Sequence, residues 1–550
     1  MTGCGAATVP QIQGAGHESP WAGRTVRTTG VVTATAARGF YLQDPTGDGD
    51  PATSDAVFVF TAGPARVSVG DRLEVAGTVH EFVPGGERTG NRSVTELTRP
   101  SLSLLDRGVP LPAEIVLGAA GRWPPASGIG AAADFFESIE GMRVRVTAAV
   151  AVSPLNDHGE IFVRAAGMPA AAGLNARGGL TIAEGDFNPE RVQVQLGRDT
   201  LRGARPGIDV GAKLADVTGV IGYAFGNYEL RITTTFAYEP STLERERTSL
   251  VRSADKLTIA SFNAGNLGPH SRGDGRHDLI VRQIAVHLCG PDILALQEIQ
   301  DDDGAADSGH TAATGLMRRL IERLAAAGAP RYRYADIAPA DGEDGGQPGA
   351  NIRAGFLYDP SRVTLVDGSL RRIGHKGEPA FAQSRKPLLA EFRFGGRRLA
   401  VINVHLASRR GSTPLFGRVR PPIVSANAQR RETQAAIIAA EVDRIATSDA
   451  GAEIVVLGDF NDFDFSPPLR ILGAAGGGLV NLVATLPERE RYTYIYEGNS
   501  QALDHVLVSE SLAATAEVDI VHFNAEFAVQ SSDHDPVLVR LRPGNRNAGP

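Results

Sequence analysis

In the second half of the chain, polar and ionisable residues stand where apolar runs end. Asn263 follows Ile-Ala-Ser-Phe, Glu298 follows Ile-Leu-Ala-Leu-Gln, and His405 follows Val-Ile-Asn-Val. Asp459 and Asn461 follow Ile-Val-Val-Leu-Gly, Asp504 precedes His-Val-Leu-Val, and Asp533 and His534 precede Asp-Pro-Val-Leu-Val. These types suit phosphodiester hydrolysis. Glu298 and Asp533 offer hard oxygen ligands to Mg²⁺, Mn²⁺ or Ca²⁺, and a cation there would polarise phosphoryl oxygens. Asp459 and Asn461 are two apart, so an extended segment points both to one side. One can bind or deprotonate the attacking water and the other can hydrogen-bond a phosphate oxygen. His534 can act as base or donate to phosphate, with Asp504 fixing its tautomer. Asn263 can ligate metal or position a carboxylate.

Each residue also has a purely structural reading. Gln-Glu after a strand can be an exposed loop, Asp-Phe-Asn-Asp a turn, and Ser-Asp-His-Asp-Pro a strand entry capped by Asp. His405 alone can be a hydrogen-bonded core histidine. Their recurrence in order at the strand ends of one region favours a site, because a rigid sheet aims groups from distant segments into one cleft.

The elements that must position them follow from patterning. From Leu257, apolar strand-like runs (257–262, 293–297, 354–358, 388–394, 399–404, 454–457, 505–508, 537–541) alternate with helical stretches (277–287, 314–327, 428–446). This predicts a layered α/β domain over 255–542. Upstream, short Val-, Thr- and Phe-rich runs separated by Gly, Asp or Pro over residues 20–110 read as a small β-barrel of the OB type. Residues 111–245 repeat that character, after an N-terminal segment 1–19. Val-Gly-Asp-Arg-Leu-Glu-Val-Ala-Gly (69–77) and Val-Gly-Ala-Lys-Leu-Ala-Asp-Val-Thr-Gly (210–219) suggest an internal repeat. The charged stretch Ser241–Lys256 reads as a linker. Asp44, Asp48 and Asp50 form a Gly-rich hairpin turn or bind Ca²⁺. Alternation puts one of Phe40 and Tyr41 in the barrel core and leaves the other to stack a base.

A chain of 550 residues exceeds what one hydrophobic core organises, which implies roughly two to four domains. The formal net charge of -8 excludes a grip on a polyanion by bulk charge, so contacts must be local or bridged by cations. Of the two cysteines, Cys4 and Cys289, the second reads as a small buried apolar residue, and their pairing stays open. No apolar run is long enough to span a membrane. The N-terminus lacks the regions of a signal peptide, which reads as cytoplasmic unless the signal lies outside this chain.

Six ordered segments resemble the endonuclease/exonuclease/phosphatase superfamily, with its deoxyribonuclease I-like fold. They are Ser-Phe-Asn (261–263), Leu-Gln-Glu-Ile (296–299), Asn-Val-His-Leu (403–406), Gly-Asp-Phe-Asn-Asp (458–462), Leu-Asp-His-Val-Leu-Val-Ser (503–509) and Ser-Asp-His-Asp-Pro-Val (532–537). The resemblance implies a four-layer α/β/β/α sandwich, a metal at Glu298 with Asp533 and Asn263 nearby, Asp459 and Asn461 at water and phosphate, and His534 with Asp504 as the catalytic pair. It implies phosphate binding by His405 and by Arg385 of Ser-Arg-Lys-Pro-Leu, a task suited to a guanidinium. Some deoxyribonucleases pair the first histidine with a carboxylate shortly before the strand at 355–358. Here that stretch is Ala-Asn-Ile-Arg (350–353), with no acid. Gly-Val-Val-Thr (30–33), the segment 39–50 and Ser-Asp-Ala-Val-Phe-Val-Phe (54–60) resemble OB-like modules ahead of bacterial extracellular nucleases of this superfamily. The resemblance implies a secreted or surface DNase using Mg²⁺ or Mn²⁺, with DNA favoured over RNA as substrate. The alternatives are a phospholipid or sugar-phosphate phosphodiesterase and a non-catalytic nucleic-acid-binding protein.

Overall fold

Alternating side-chain direction decides which faces of the C-terminal strands meet. The computed structural model describes residues 5–119, 121–168, 173–197, 207–269, 274–374, 377–415 and 419–544. They fall into two compact units, one of Met1–Leu243 with Ser412–Val424 and Glu497–Asn499, the other of Glu244–Gly411, Ser425–Tyr496 and Ser500–Pro550.

In the second unit, one sheet has the order β8-β9-β7-β6-β16-β15. Its strands are β6 (Leu257–Leu267), β7 (Ile293–Ile299), β8 (Arg333–Asp336), β9 (Arg353–Tyr358), β15 (Glu517–Ile520) and β16 (Val537–Leu541). The other sheet runs β10-β11-β12-β14-β13, from β10 (Leu388–Phe394), β11 (Arg397–His405), β12 (Glu453–Asp459), β13 (Leu479–Asn481) and β14 (Asp504–Ser509), with two short strands on β10. Leu257 and Ile259 of β6 share one apolar core with Val401, Val455 and Leu457 of the second sheet. Ala260 and Phe262 point the other way, onto helices α1 (Asp274–Arg282) and α2 (Thr314–Ala326). Ile402, Ile454 and Val456 likewise face α3 (Ala428–Ser448). The period of two therefore builds four layers, α/β/β/α, as expected.

A pair of buried amides spans the two sheets. Gln297 Nε2 donates to Asn403 Oδ1 at 2.7 Å, and Asn403 Nδ2 donates to the carbonyls of Leu296 and Gly355 at 3.1 Å each. Both side chains are fully buried. The segment read as a linker belongs to this unit from Glu244 on. Glu246 N–H reaches the His522 carbonyl and Thr248 N–H the His287 carbonyl, because each sheet and helix end leaves acceptors that need donors. Cys289 is only half-buried, contrary to the expectation of an apolar core residue, and Arg247 Nε donates to its sulfur at 3.4 Å. Cys4 lies outside the described residues.

In the first unit, β1 (Thr25–Ala36), β2 (Gly39–Gln43), β3 (Ala56–Phe60), β4 (Arg72–Phe82) and β5 (Val94–Asp106) close into a ring in the order β1-β2-β3-β5-β4 and back to β1. A second, nine-stranded sheet is built from residues 115–239. Both copies of the suspected repeat place glycine in a left-handed turn ahead of a strand, Gly70 at φ 88° and Gly211 at φ 83°. The expectation that Phe40 or Tyr41 offers a stacking face is corrected. Phe40 lies in the ring's core, while Tyr41 packs on Phe58 and Val220 and its hydroxyl accepts from Arg231, so the second sheet covers the outward face. Asp44, Asp48 and Asp50 each accept backbone N–H groups of their own turn, which is the turn reading.

Replacing Gln297 with Ala leaves the Asn403 oxygen without its donor and opens a void. It should lower the opening free energy of the β7 and β11 amides by roughly 2–4 kcal/mol. Native-state hydrogen exchange reads this, and unchanged protection of both strands would remove the amide pair from any structural role.

Candidate active site

Register brings the C-terminal ends of β11 and β12 level with the N-terminal end of the antiparallel β14. His405 pairs with Asp459 across β11 and β12, and Asp459 pairs with Asp504 across β12 and β14. The row His405–Asp459–Asp504 is therefore set by backbone pairing before any side chain chooses a rotamer. Gly458, ahead of Asp459, has φ 139°, and a Cβ there would lie 2.0 Å from the Val404 carbonyl oxygen. Only glycine lets β12 lie this close to β11 at the site.

The other sheet supplies Asn263 and Glu298. Pairing of β7 with both neighbours shifts register around Glu298, which sits at φ 57°. Such a bulge re-aims a side chain, and a non-glycine residue in this region costs about 1–2 kcal/mol. Glu298 Oε2 accepts from Asn266 N at 2.7 Å and Oε1 from Asn263 Nδ2 at 3.3 Å. Asn263 Nδ2 also donates to Asp459 Oδ2 at 2.9 Å, while its oxygen takes Gly265 N–H. Of its two expected roles, this arrangement is the positioning of carboxylates.

Asp459 is buried among these donors. Asn461 N reaches its Oδ1 at 2.7 Å and Asn461 Nδ2 its Oδ2 at 3.2 Å. Burial pushes the Asp459 carboxyl up, with His534 pulling down and Asp504 and Glu298 pushing up, to about 7. His534 Nδ1 lies 2.7 Å from Asp504 Oδ2, and its Nε2 lies 4.0 Å from Asp459 Oδ2. Burial opposes charge on this ring, but Asp504, Asp459 and Asp533 outweigh it and hold His534 well above the usual histidine range. His405 Nε2 lies 3.4 Å from Asp459 Oδ2 and 3.8 Å from Glu298 Oε1. Burial, then Arg385 and His534, holds His405 well below its ordinary value. Its buried Nδ1 has no partner among the described residues. Asn351 of the acid-free stretch instead donates to Asp301 and Asp341.

Arg385 is buried beside this cluster. Its Nη2 donates to the Leu406 carbonyl at 2.8 Å and its Nε has no partner among the described residues. Asp533 is exposed and joins neither cluster of nearby ligand atoms. Those clusters, Glu298–His405–Asp459 and Asp459–Asp504–His534, share Asp459, each with its ligand atoms within 4.8 Å of one another. Two carboxylates and an imidazole whose ligand atoms lie this close fit a divalent cation.

Sequence reading missed the residues that hold these groups. Arg276 donates to the carbonyls of Ala264, Gly265, Asn266 and Ser531, tying the loop after Asn263 to the loop before His534. Fully buried Arg431 donates from Nε to Asp462 Oδ2, and Arg409 to Asp462 Oδ1, each at 2.8 Å. Asp535 accepts the N–H groups of Phe523, Asn524 and Ala525. Thr493 donates to Asp504 Oδ2 at 2.7 Å, and the ring of Tyr494 lies 4.9 Å from that of His534. Of these signals Asp535, inside Ser-Asp-His-Asp-Pro, and Asp462, at the end of Gly-Asp-Phe-Asn-Asp, stood in a motif.

A model of the endonuclease/exonuclease/phosphatase family matches residues 260–534, and a model described as a domain of unknown function matches residues 128–242. No curated protein matches the chain. Among solved structures, the human Nocturnin catalytic domain is 15% identical, with a TM-score of 0.36 over 52% of this chain and 95% of that one. A truncated TDP2 from Caenorhabditis elegans is 16% identical, with a TM-score of 0.36 over 52% of this chain and 98% of that one. An endonuclease/exonuclease/phosphatase from Bacteroides vulgatus is 16% identical, with the same coverages and TM-score.

Both shifts make alkaline pH destabilising for the cation-free protein. The His534 contribution is complete below about 6.5 and is lost as pH rises through its higher folded value. The folded Asp459 value of about 7 exceeds its ordinary 3.8. The folded state therefore holds the extra proton and loses stability across that interval, by about 4 kcal/mol at most. Melting in EDTA should fall as pH rises above about 6.5, the lowered His405 offsetting the decline below that point, with a smaller decline up to neutrality for Asp459→Asn. Parallel curves for the two proteins would contradict this electrostatic description.

Proposed function

The chain belongs to the endonuclease/exonuclease/phosphatase family, whose model matches half of it, and from that membership we propose a divalent-metal-dependent nuclease that hydrolyses DNA phosphodiester bonds outside the cell or at its surface. The observation that carries this reading is the convergence of Glu298, His405, Asp459, Asp504 and His534 from two facing sheets on a pair of clusters that share Asp459.

The roles follow from the protonation each environment favours. A base is most useful with a value near ambient pH, so Asp459 takes the proton of the attacking water. His534, charged and oriented by Asp504, stabilises negative charge on the phosphate. His405, neutral and buried, donates its one N–H to a phosphate oxygen. Arg385 supplies a fixed positive charge beside it, and Asn461 holds the carboxylate of Asp459 and adds an amide donor. Glu298, with Asp459 and His405 beside it and Asp533 at the rim, would hold Mg²⁺ or Mn²⁺. When bound, that cation polarises the phosphoryl oxygens and offsets developing charge. The five-stranded ring order of the first unit supports an OB-type module, a fold used on nucleic-acid strands, which favours DNA over a phospholipid. Among the described residues no helix is long and apolar enough to cross a membrane.

The test is a panel of circular, linear and single-stranded DNA, RNA, sphingomyelin and an inositol phosphate, each with Mg²⁺, Mn²⁺, Ca²⁺ or EDTA. The expected result is metal-dependent DNA cleavage abolished by EDTA, with kcat lowered roughly 10²- to 10⁴-fold in Asp459→Asn and His534→Ala. Release of phosphocholine or inorganic phosphate without DNA cleavage would overturn the substrate, and hydrolysis untouched by both substitutions would overturn the mechanism.

A further inference from the structure

We propose that Thr493 is a positioning residue for the His534–Asp504 pair, its hydroxyl locking the carboxylate in the one orientation that presents Oδ2 to the imidazole. The proposal rests on the reading that His534 acts in hydrolysis. Thr493 is fully buried and precedes Tyr494 on the chain. A threonine hydroxyl has one proton and two lone pairs. Here Leu503 N and Asp504 N both donate to Thr493 Oγ1, at 3.2 Å each. With the lone pairs engaged, the single O–H has one acceptor left, Asp504 Oδ2 at 2.7 Å. That is the oxygen that meets His534 Nδ1 at 2.7 Å.

The other oxygen, Asp504 Oδ1, is buried and has no partner among the described residues. Among the described residues no hydrogen bond holds the Oδ1 side, so besides the imidazole itself it is the Thr493 hydroxyl that fixes the carboxylate through Oδ2. The backbone of the same residue fixes the opposite member of the pair. Thr493 C=O accepts from Asp535 N at 2.7 Å, one residue past His534, and Thr493 N donates to the Gln501 carbonyl at 3.0 Å. Ser532 Oγ receives His534 N–H and itself donates to the Asn263 carbonyl. One buried residue thus sets the spacing between the strand that carries Asp504 and the loop that carries His534. The rotor matters because a reacting group displaced by about 1 Å can lose two orders of magnitude in rate.

The experiment compares Thr493→Val, which keeps shape and removes the hydroxyl, with Thr493→Ser, which keeps the hydroxyl, in the full chain. His534→Ala is the control, and plasmid DNA with Mg²⁺ is the substrate. Thr493→Val should lower kcat roughly tenfold to hundredfold with KM little changed, while Thr493→Ser returns to near wild type. Proton NMR of protein labelled with ¹⁵N in histidine should show the low-field His534 Nδ1–H resonance in wild type and Thr493→Ser, and its loss or upfield movement in Thr493→Val. If Thr493→Val does not fold, Thr493→Ala against Thr493→Ser carries the same comparison. An inactive His534→Ala beside a fully active Thr493→Val with an unmoved resonance would overturn the positioning role. An active His534→Ala would instead overturn the hydrolytic reading, leaving the resonance to judge Thr493 alone.

Discussion

A carboxylate removed from water among two other carboxylates is the constraint around which the second unit is organised. Asp459 is 2% exposed and lies within a few ångströms of Glu298 and Asp504. Burying an ion is costly unless hydrogen bonds and opposite charge replace its hydration. The surroundings do this in three ways. Asn263 and Asn461 give amide donors, His534 gives a positive neighbour, and the carboxyl itself is raised to about 7, so that a proton is held near neutrality. A divalent cation would relieve the same tension.

Much of this was legible because it depends on local signals. An apolar run followed by Asn, Glu, His or Asp identifies a strand end, and β10 and β16 match the sequence boundaries at both ends. What was not legible depends on long-range partners. Thr493, Arg276 and Arg431 lie in a loop or on helices whose local sequence is ordinary, and their importance appears only when Asp504, Ser531 and Asp462 arrive from elsewhere. β13, with three residues, and β15, Glu-Val-Asp-Ile, have too few apolar positions to stand out from loop. β5 contains Pro100 and an exposed second half, which hid a thirteen-residue strand. At Tyr41 the alternation rule itself failed. The rule assumes that one strand face meets water, and here a second sheet covers it.

The first unit applies the same physics differently. Its ring has no free edge in the five-strand path, which removes the unpaired N–H and C=O groups that make sheet edges prone to association. The carboxylates of its hairpin turn, Asp44, Asp48 and Asp50, are engaged by backbone donors within the turn. Acidic composition in a loop therefore says little about cation binding until its hydrogen bonds are traced. In the second unit the carboxylates of Glu298, Asp459 and Asp504 come from different strands, so local turns cannot satisfy them all and they remain available for chemistry.

The two histidines show how far environment separates identical side chains. His534 meets a carboxylate at each nitrogen and is held well above the ordinary imidazole value. His405 is buried, faces carboxylates only through Nε2, has no partner at Nδ1 among the described residues, and lies beside Arg385, so it is held well below that value. At neutral pH one ring is charged and the other is not. Opposite displacement of neighbouring titratable groups is how active sites divide acid, base and electrostatic roles. The acid-free stretch Ala350–Arg353 completes the argument. Asn351 there bonds Asp301 and Asp341, and among the described residues no carboxylate reaches His405 Nδ1 to orient the ring or hold it charged. The ring supported by a carboxylate is therefore that of His534, which places the electrostatic asymmetry of this site on the side of β14 rather than β11.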